Sequence, residues 1–221
     1  MTKQTWILNW LLLLLIGITG SIANNIIMRL PFNFPIGLYM DTVFTVSAAF
    51  LGGLIPGLIC AVLTTIIQGI VYYFTTGEPY FWAWYFYMLC SIIAVFLVCL
   101  FARFFPEECK SLRITEKTSN QPKTRQGPLL ILLATLSLAM CIVISIAGGI
   151  ISTVITLFSD VIPHDTPPET WFRLGFIRQG FGLLASEIFA RIPVNLVDKS
   201  IAVLAGWGIA YLVKRTVFHT K

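Results

Sequence analysis

Asp41, Glu187, Arg191, Asn195 and Lys199 are the side chains of this 221-residue chain best suited to chemistry. Asp41 stands at the upstream edge of the uncharged stretch Thr42–Gly77, and the other four bracket the start of an apolar run near the C-terminus. A charge set into or against an apolar segment is expensive unless it meets water, a partner or a ligand. Asn195 and Lys199 are four residues apart, so a helix projects both from one face. Tyr72, Trp82 and Trp84, with Tyr73, Tyr80 and Tyr85, flank the turn Gly77-Glu78-Pro79 and offer ring faces for stacking on a flat heterocycle. Such a set holds a small polar molecule; it does not make or break bonds.

Nothing points to catalysis. The chain has no GxxxxGK[ST] loop, no HExxH and no CxxC, and its histidines are His164 and His219. Cys60, Cys90, Cys99 and Cys141 fall in apolar stretches and Cys109 in a polar one, and they read as packing residues. No metal or cofactor is expected, and ATP, if consumed, must be bound by another chain. The blander readings stand beside the functional one. Trp and Tyr form interfacial belts in most membrane proteins. Asp198 and Lys199, as chain neighbours, diverge on a helix and are expected not to pair with one another.

The elements that must position these residues are set by composition. Hydrophobic residues make up 57% and charged residues 11%, against about 25% charged in soluble domains. The bilayer is therefore the solvent, and at about 20 apolar residues per crossing the length fits around six spans. The expected architecture is an all-α integral membrane protein, one compact transmembrane domain over residues 1–221. Its spans are 6–28, 36–53, 56–75, 81–103, 128–158 and 193–213. Gly52-Gly53-Leu54-Ile55-Pro56-Gly57 breaks the long uncharged stretch into a helix pair, with Pro56 in the first turn of the second helix. The first span is too long for a signal peptide, and Asn24-Asn25 is no cleavage site.

Arg103, Lys110, Arg113, Lys117, Lys123 and Arg125 mark 104–127 as a cytoplasmic loop, and Lys3, Lys214, Arg215 and Lys221 put both termini on the same side. The expected location is the cell membrane, crossed several times. Residues 159–192, with Asp160, Asp165, Glu169 and three prolines, then form an outer-face loop, and 172–191 an interfacial helix between the fifth and sixth spans. The net charge of +5 is a consequence of topology and gives no reason to expect nucleic-acid binding.

Two blocks resemble a known family. Leu38-Tyr39-Met40-Asp41-Thr42-Val43 followed by Phe50-Leu51-Gly52-Gly53-Leu54-Ile55-Pro56-Gly57 is similar to the second and third helices of the substrate-binding S components of energy-coupling factor (ECF) transporters. Arg191-Ile192-Pro193-Val194-Asn195-Leu196-Val197-Asp198-Lys199 resembles the segment opening their last helix, most closely in riboflavin-type members. The resemblance implies a vitamin-like small molecule bound at the outer face. It also implies partners: a membrane coupling subunit and two ATPase subunits. Docking in that family uses small residues spaced by four on the first helix. Gly17 with Ser21, and Gly20 with Asn24, keep this spacing here, although the usual Ala-x-x-x-Ala is absent. Two other functions fit the same helices: a multi-pass sensor module, disfavoured by the short tail after Val213, and a structural membrane protein in which Asp41 and Lys199 serve packing.

Overall fold

In the computed structural model the described residues are 3–29, 38–110, 112, 126–159 and 167–217. The expected loop residues 113–125, the segment 160–166 with Asp160, His164 and Asp165, and the C-terminal His219 and Lys221 lie outside them. Eight α-helices follow in order: α1 (Lys3–Ile27), α2 (Val43–Gly52), α3 (Leu54–Thr76), α4 (Met88–Phe104), α5 (Pro106–Lys110), α6 (Gln126–Ser159), α7 (Pro167–Arg178) and α8 (Leu183–Val217). A 3-10 turn, Trp82–Tyr87, leads into α4. Five of these elements are long and apolar enough to cross a membrane: those ending at Ile27, Thr76, Phe104, Phe158 and Thr216. This is the arrangement of a multi-pass membrane protein.

Side-chain distribution explains the packing. Leu11, Ile18 and Ile22 on α1, Ile66 and Ile70 on α3, and Ile142, Ile146 and Ile150 on α6 are exposed on the circumference. Ser21, Asn24, Thr45, Ser145, Ser152 and Ser186 are fully enclosed. In hydrocarbon solvent apolar side chains gain nothing by facing inward, so small and polar residues take the helix contacts. Gly206 shows how close those contacts are: a Cβ there would stand 2.9 Å from the carbonyl oxygen of Val43. On α6, a Cβ at Gly149 would lie 3.0 Å from the Ile188 backbone of α8.

The Gly/Pro break forms as its chemistry requires. Gly53 takes φ 82° and ψ −152°, a region closed to other residues, and its N–H caps α2 at Ala49. Pro56 is the third residue of α3, where its missing N–H breaks no helical bond. The expected second span, 36–53, is shortened. Leu38–Thr42 is not helical, and α2 has 10 residues, about 15 Å of helix and half a bilayer. Only Phe44 and Gly52 escape burial in α2, so it is a plug among α1, α3, α4 and α8.

The last span differs more. Instead of beginning at Pro193, α8 starts at Leu183 and carries Pro193 inside it. The missing N–H withdraws one ladder bond, which membrane helices tolerate when neighbours hold the helix on both sides of the gap; here α6 and α7 do so. The expected interfacial helix over 172–191 is therefore two pieces. Its first part belongs to α7, at 12 residues too short to span, and its second part is the opening of α8. A turn with Gly180 at φ 89° joins them. The segment expected as a loop from residue 104 also opens in order, for α5 tucks Cys109 and Leu112 into the core.

Candidate functional site

A cavity of about 350 Å³ lies between α1, α3, the 3-10 turn, α4, α6 and α8. One face of α3 supplies Thr64, Gln68 and Tyr72, spaced by four and so stacked turn upon turn. The aromatic wall is a corner of three rings meeting edge to face. Tyr72 and Tyr80 are 5.6 Å apart between centroids, Tyr72 and Trp84 5.9 Å, and Tyr80 and Trp84 5.1 Å. Gly69 permits this corner, because any side chain there would run into the Tyr85 hydroxyl. Burial foremost, then the neighbouring Tyr85 and Asp41, pushes the Tyr80 phenol up to about 12. It remains a neutral donor.

The floor of the cavity is ionic. Lys199 Nζ has three oxygens around it: Asp198 Oδ2 at 2.7 Å, Thr42 Oγ1 at 3.2 Å and Asp41 Oδ1 at 3.3 Å. The contact with Asp198 is an ion pair outside hydrogen-bond alignment, as adjacent positions on a helix impose. The expectation that Asp198 and Lys199 would not pair is corrected: the long lysine stem curls back to its neighbour's carboxylate. Asp198 Oδ1 also accepts the Met40 backbone N–H at 2.8 Å. Asn195, one turn before Lys199, donates to Ser145 Oγ on α6 at 2.9 Å.

A second ionic group forms the wall between α7 and α8. Glu187 is fully buried and receives Arg191 Nη1 at 2.6 Å and Arg173 Nη1 at 3.1 Å. Arg191 also approaches Glu169 of α7 at 3.9 Å and donates to the Tyr87 hydroxyl at 3.4 Å. Two acids among two guanidiniums offset one another's charge at low dielectric, which lowers the cost of burying them.

Of the residues expected at the site, Asp41, Tyr72, Trp84, Arg191, Asn195 and Lys199 line this one cavity, brought from four separated parts of the chain. Glu187 stands behind Arg191 and does not reach it. Trp82 turns away, 62% exposed, against Phe81 and Phe86, because the 3-10 turn sends it and Trp84 to opposite sides. Tyr39, Thr64, Gln68 and Tyr87 also line the cavity and were not singled out. The spacing of Thr64, Gln68 and Tyr72 was the available signal.

The residues expected to dock a partner pack inside the chain. Gly17 packs against Ile59 and Gly20 against Cys60, while Ser21 and Asn24 are fully buried. Asn24 donates to Thr45 and Thr64 and accepts the Phe44 backbone N–H. The small-residue face of α1 is thus used within the chain, to seat α2 and α3.

Comparison with family models, with curated proteins and with solved structures returned no match.

Proposed function

We propose that this chain is the substrate-binding membrane subunit of an ECF-type uptake system, taking up a vitamin-like micronutrient and handing it inward with a separate ATP-driven module. The observation that carries the reading is the cavity itself. It has the size of a small-molecule site. An aromatic corner stands on one side and a fixed ionic floor on the other. The resemblance of the Asp41 and Asn195–Lys199 blocks to S components agrees with that design. Arg103, Lys214 and Arg215 lie at the ends of α4 and α8 away from the cavity. With that end cytoplasmic, the cavity belongs to the outer half of the membrane and the termini to the cytoplasm. Docking to a coupling subunit must then use a surface other than the Gly17–Asn24 face, which is occupied.

Native mass spectrometry of the full chain purified from cells, with Trp fluorescence titrations of riboflavin, thiamine, pantothenate, biotin and folate, tests this reading. A co-purified small molecule, or saturable binding of one of these, is the expected result. A protein that carries no small molecule and binds none of the five overturns it.

A further inference from the structure

We propose that the cavity selects an organic cation, a compact positively charged head seated in the corner of Tyr72, Tyr80 and Trp84 beside the Asp41 carboxylate. This rests on the reading of the cavity as a small-molecule site and gives that site its ligand class.

The argument starts from which charges are already satisfied. A lysine has three N–H donors; Lys199 gives two of them to Thr42 Oγ1 and Asp41 Oδ1, and its charge lies 2.7 Å from Asp198 Oδ2. Its side chain is 4% exposed. Arg191, 5% exposed, is held by Glu187 and Glu169. Both cations are thus held against carboxylates of the chain itself. Asp41 differs: its side chain is 31% exposed, and Lys199 approaches only its Oδ1. The charge that the cavity presents is therefore negative.

Asn195, which gives an Nδ2–H to Ser145, also lines the cavity. The rings supply the remaining component. Mutually perpendicular aromatic faces attract a cation through their quadrupoles, and more strongly once water is excluded. The cavity already holds one such contact, Lys199 Nζ 5.9 Å from the centre of the Tyr39 ring. A neutral flavin or an anionic acid would leave Asp41 buried against it with only Lys199, which Asp198 also holds, as counter-charge.

The test uses the full chain in lipid nanodiscs, titrated by Trp fluorescence with thiamine (a thiazolium), choline (a quaternary ammonium), riboflavin (neutral) and pantothenate (an anion). At least one cation should bind about tenfold or more tighter than riboflavin and pantothenate. Asp41→Asn should weaken that cation by about tenfold or more, and Asp41→Glu should keep most of the binding. If Asp41→Asn does not fold, Tyr72→Phe against Tyr72→Leu decides: the first retains cation binding and the second loses it about tenfold. Tighter binding of riboflavin or pantothenate than of both cations overturns the charge assignment, as does cation binding indifferent to these variants. In either case the cavity stands as a binding site. A chain that binds none of the four and purifies without a small molecule fails the functional proposal itself, and this inference with it.

Discussion

Asp198 Oδ1 accepts the backbone N–H of Met40 at 2.8 Å, and Met40 holds φ at 52°, the one positive value outside glycine among the described residues. A side chain in α8 thereby fixes the non-helical approach to α2 and aims Asp41 at the cavity. The left-handed conformation costs a residue with a Cβ about 1–3 kcal/mol, so it persists only where its surroundings hold it.

The first prediction separates this anchor from the ligand contact. Asp198→Ala leaves the Met40 N–H and much of the Lys199 charge unmatched in the interior, and should cost about 3–5 kcal/mol of stability. Asp41→Asn, at a half-open carboxylate with Lys199 still held by Asp198, should cost about 1 kcal/mol or less. Denaturant unfolding in detergent measures both. Equal losses would mean that Asp41, too, is a structural residue.

The α7–α8 network gives the second. Glu187→Gln removes the carboxylate between Arg173 and Arg191, leaving two guanidiniums facing each other in a buried site. A loss of about 3–5 kcal/mol is expected, with faster hydrogen exchange in α7, which is tied to α8 by those pairs. Unchanged exchange in 169–178 would show that α7 is held by its apolar contacts instead.

Glycine contacts give the third. Gly206→Ala drives a methyl group against the Val43 carbonyl and Val46, and should destabilise the protein by about 1–3 kcal/mol. Gly208→Ala, two residues on, meets open space and should be neutral or stabilise by up to about 1 kcal/mol. Thermal unfolding of the two variants side by side reads the α2–α8 approach directly.

Orientation gives the fourth. Gln179 is exposed in the turn after α7 and Arg103 is exposed at the end of α4. In a background without the native cysteines, Gln179→Cys should react with an impermeant maleimide on intact cells and Arg103→Cys only after lysis. The opposite pattern would put the cavity on the cytoplasmic side and reverse the direction of uptake.

The sequence by itself determined the solvent of this protein and most of its helices. An apolar run such as Pro128–Phe158 has few structural options in a bilayer, because every backbone polar group must be satisfied within the segment. Gly53 and Pro56 likewise act through their own backbone chemistry, so the break between α2 and α3 was legible. What failed were positions decided by neighbours. Pro193 reads locally as a helix start, yet α6 and α7 carry α8 through it. Gly17, Gly20, Ser21 and Asn24 have the spacing of a contact face, but spacing does not say which helix is contacted. Trp82 and Trp84 are equivalent in composition, and only the 3-10 turn separates the ring in the wall from the ring outside. The same holds for charge. Asp41 and Lys199 could be named as expensive residues from the sequence, but 158 residues separate them. That Lys199 is buried among Asp198, Thr42 and Asp41 while Asp41 keeps an open face was decided by the packing of α2 against α8, since a charge's availability depends on which partners the fold brings within reach.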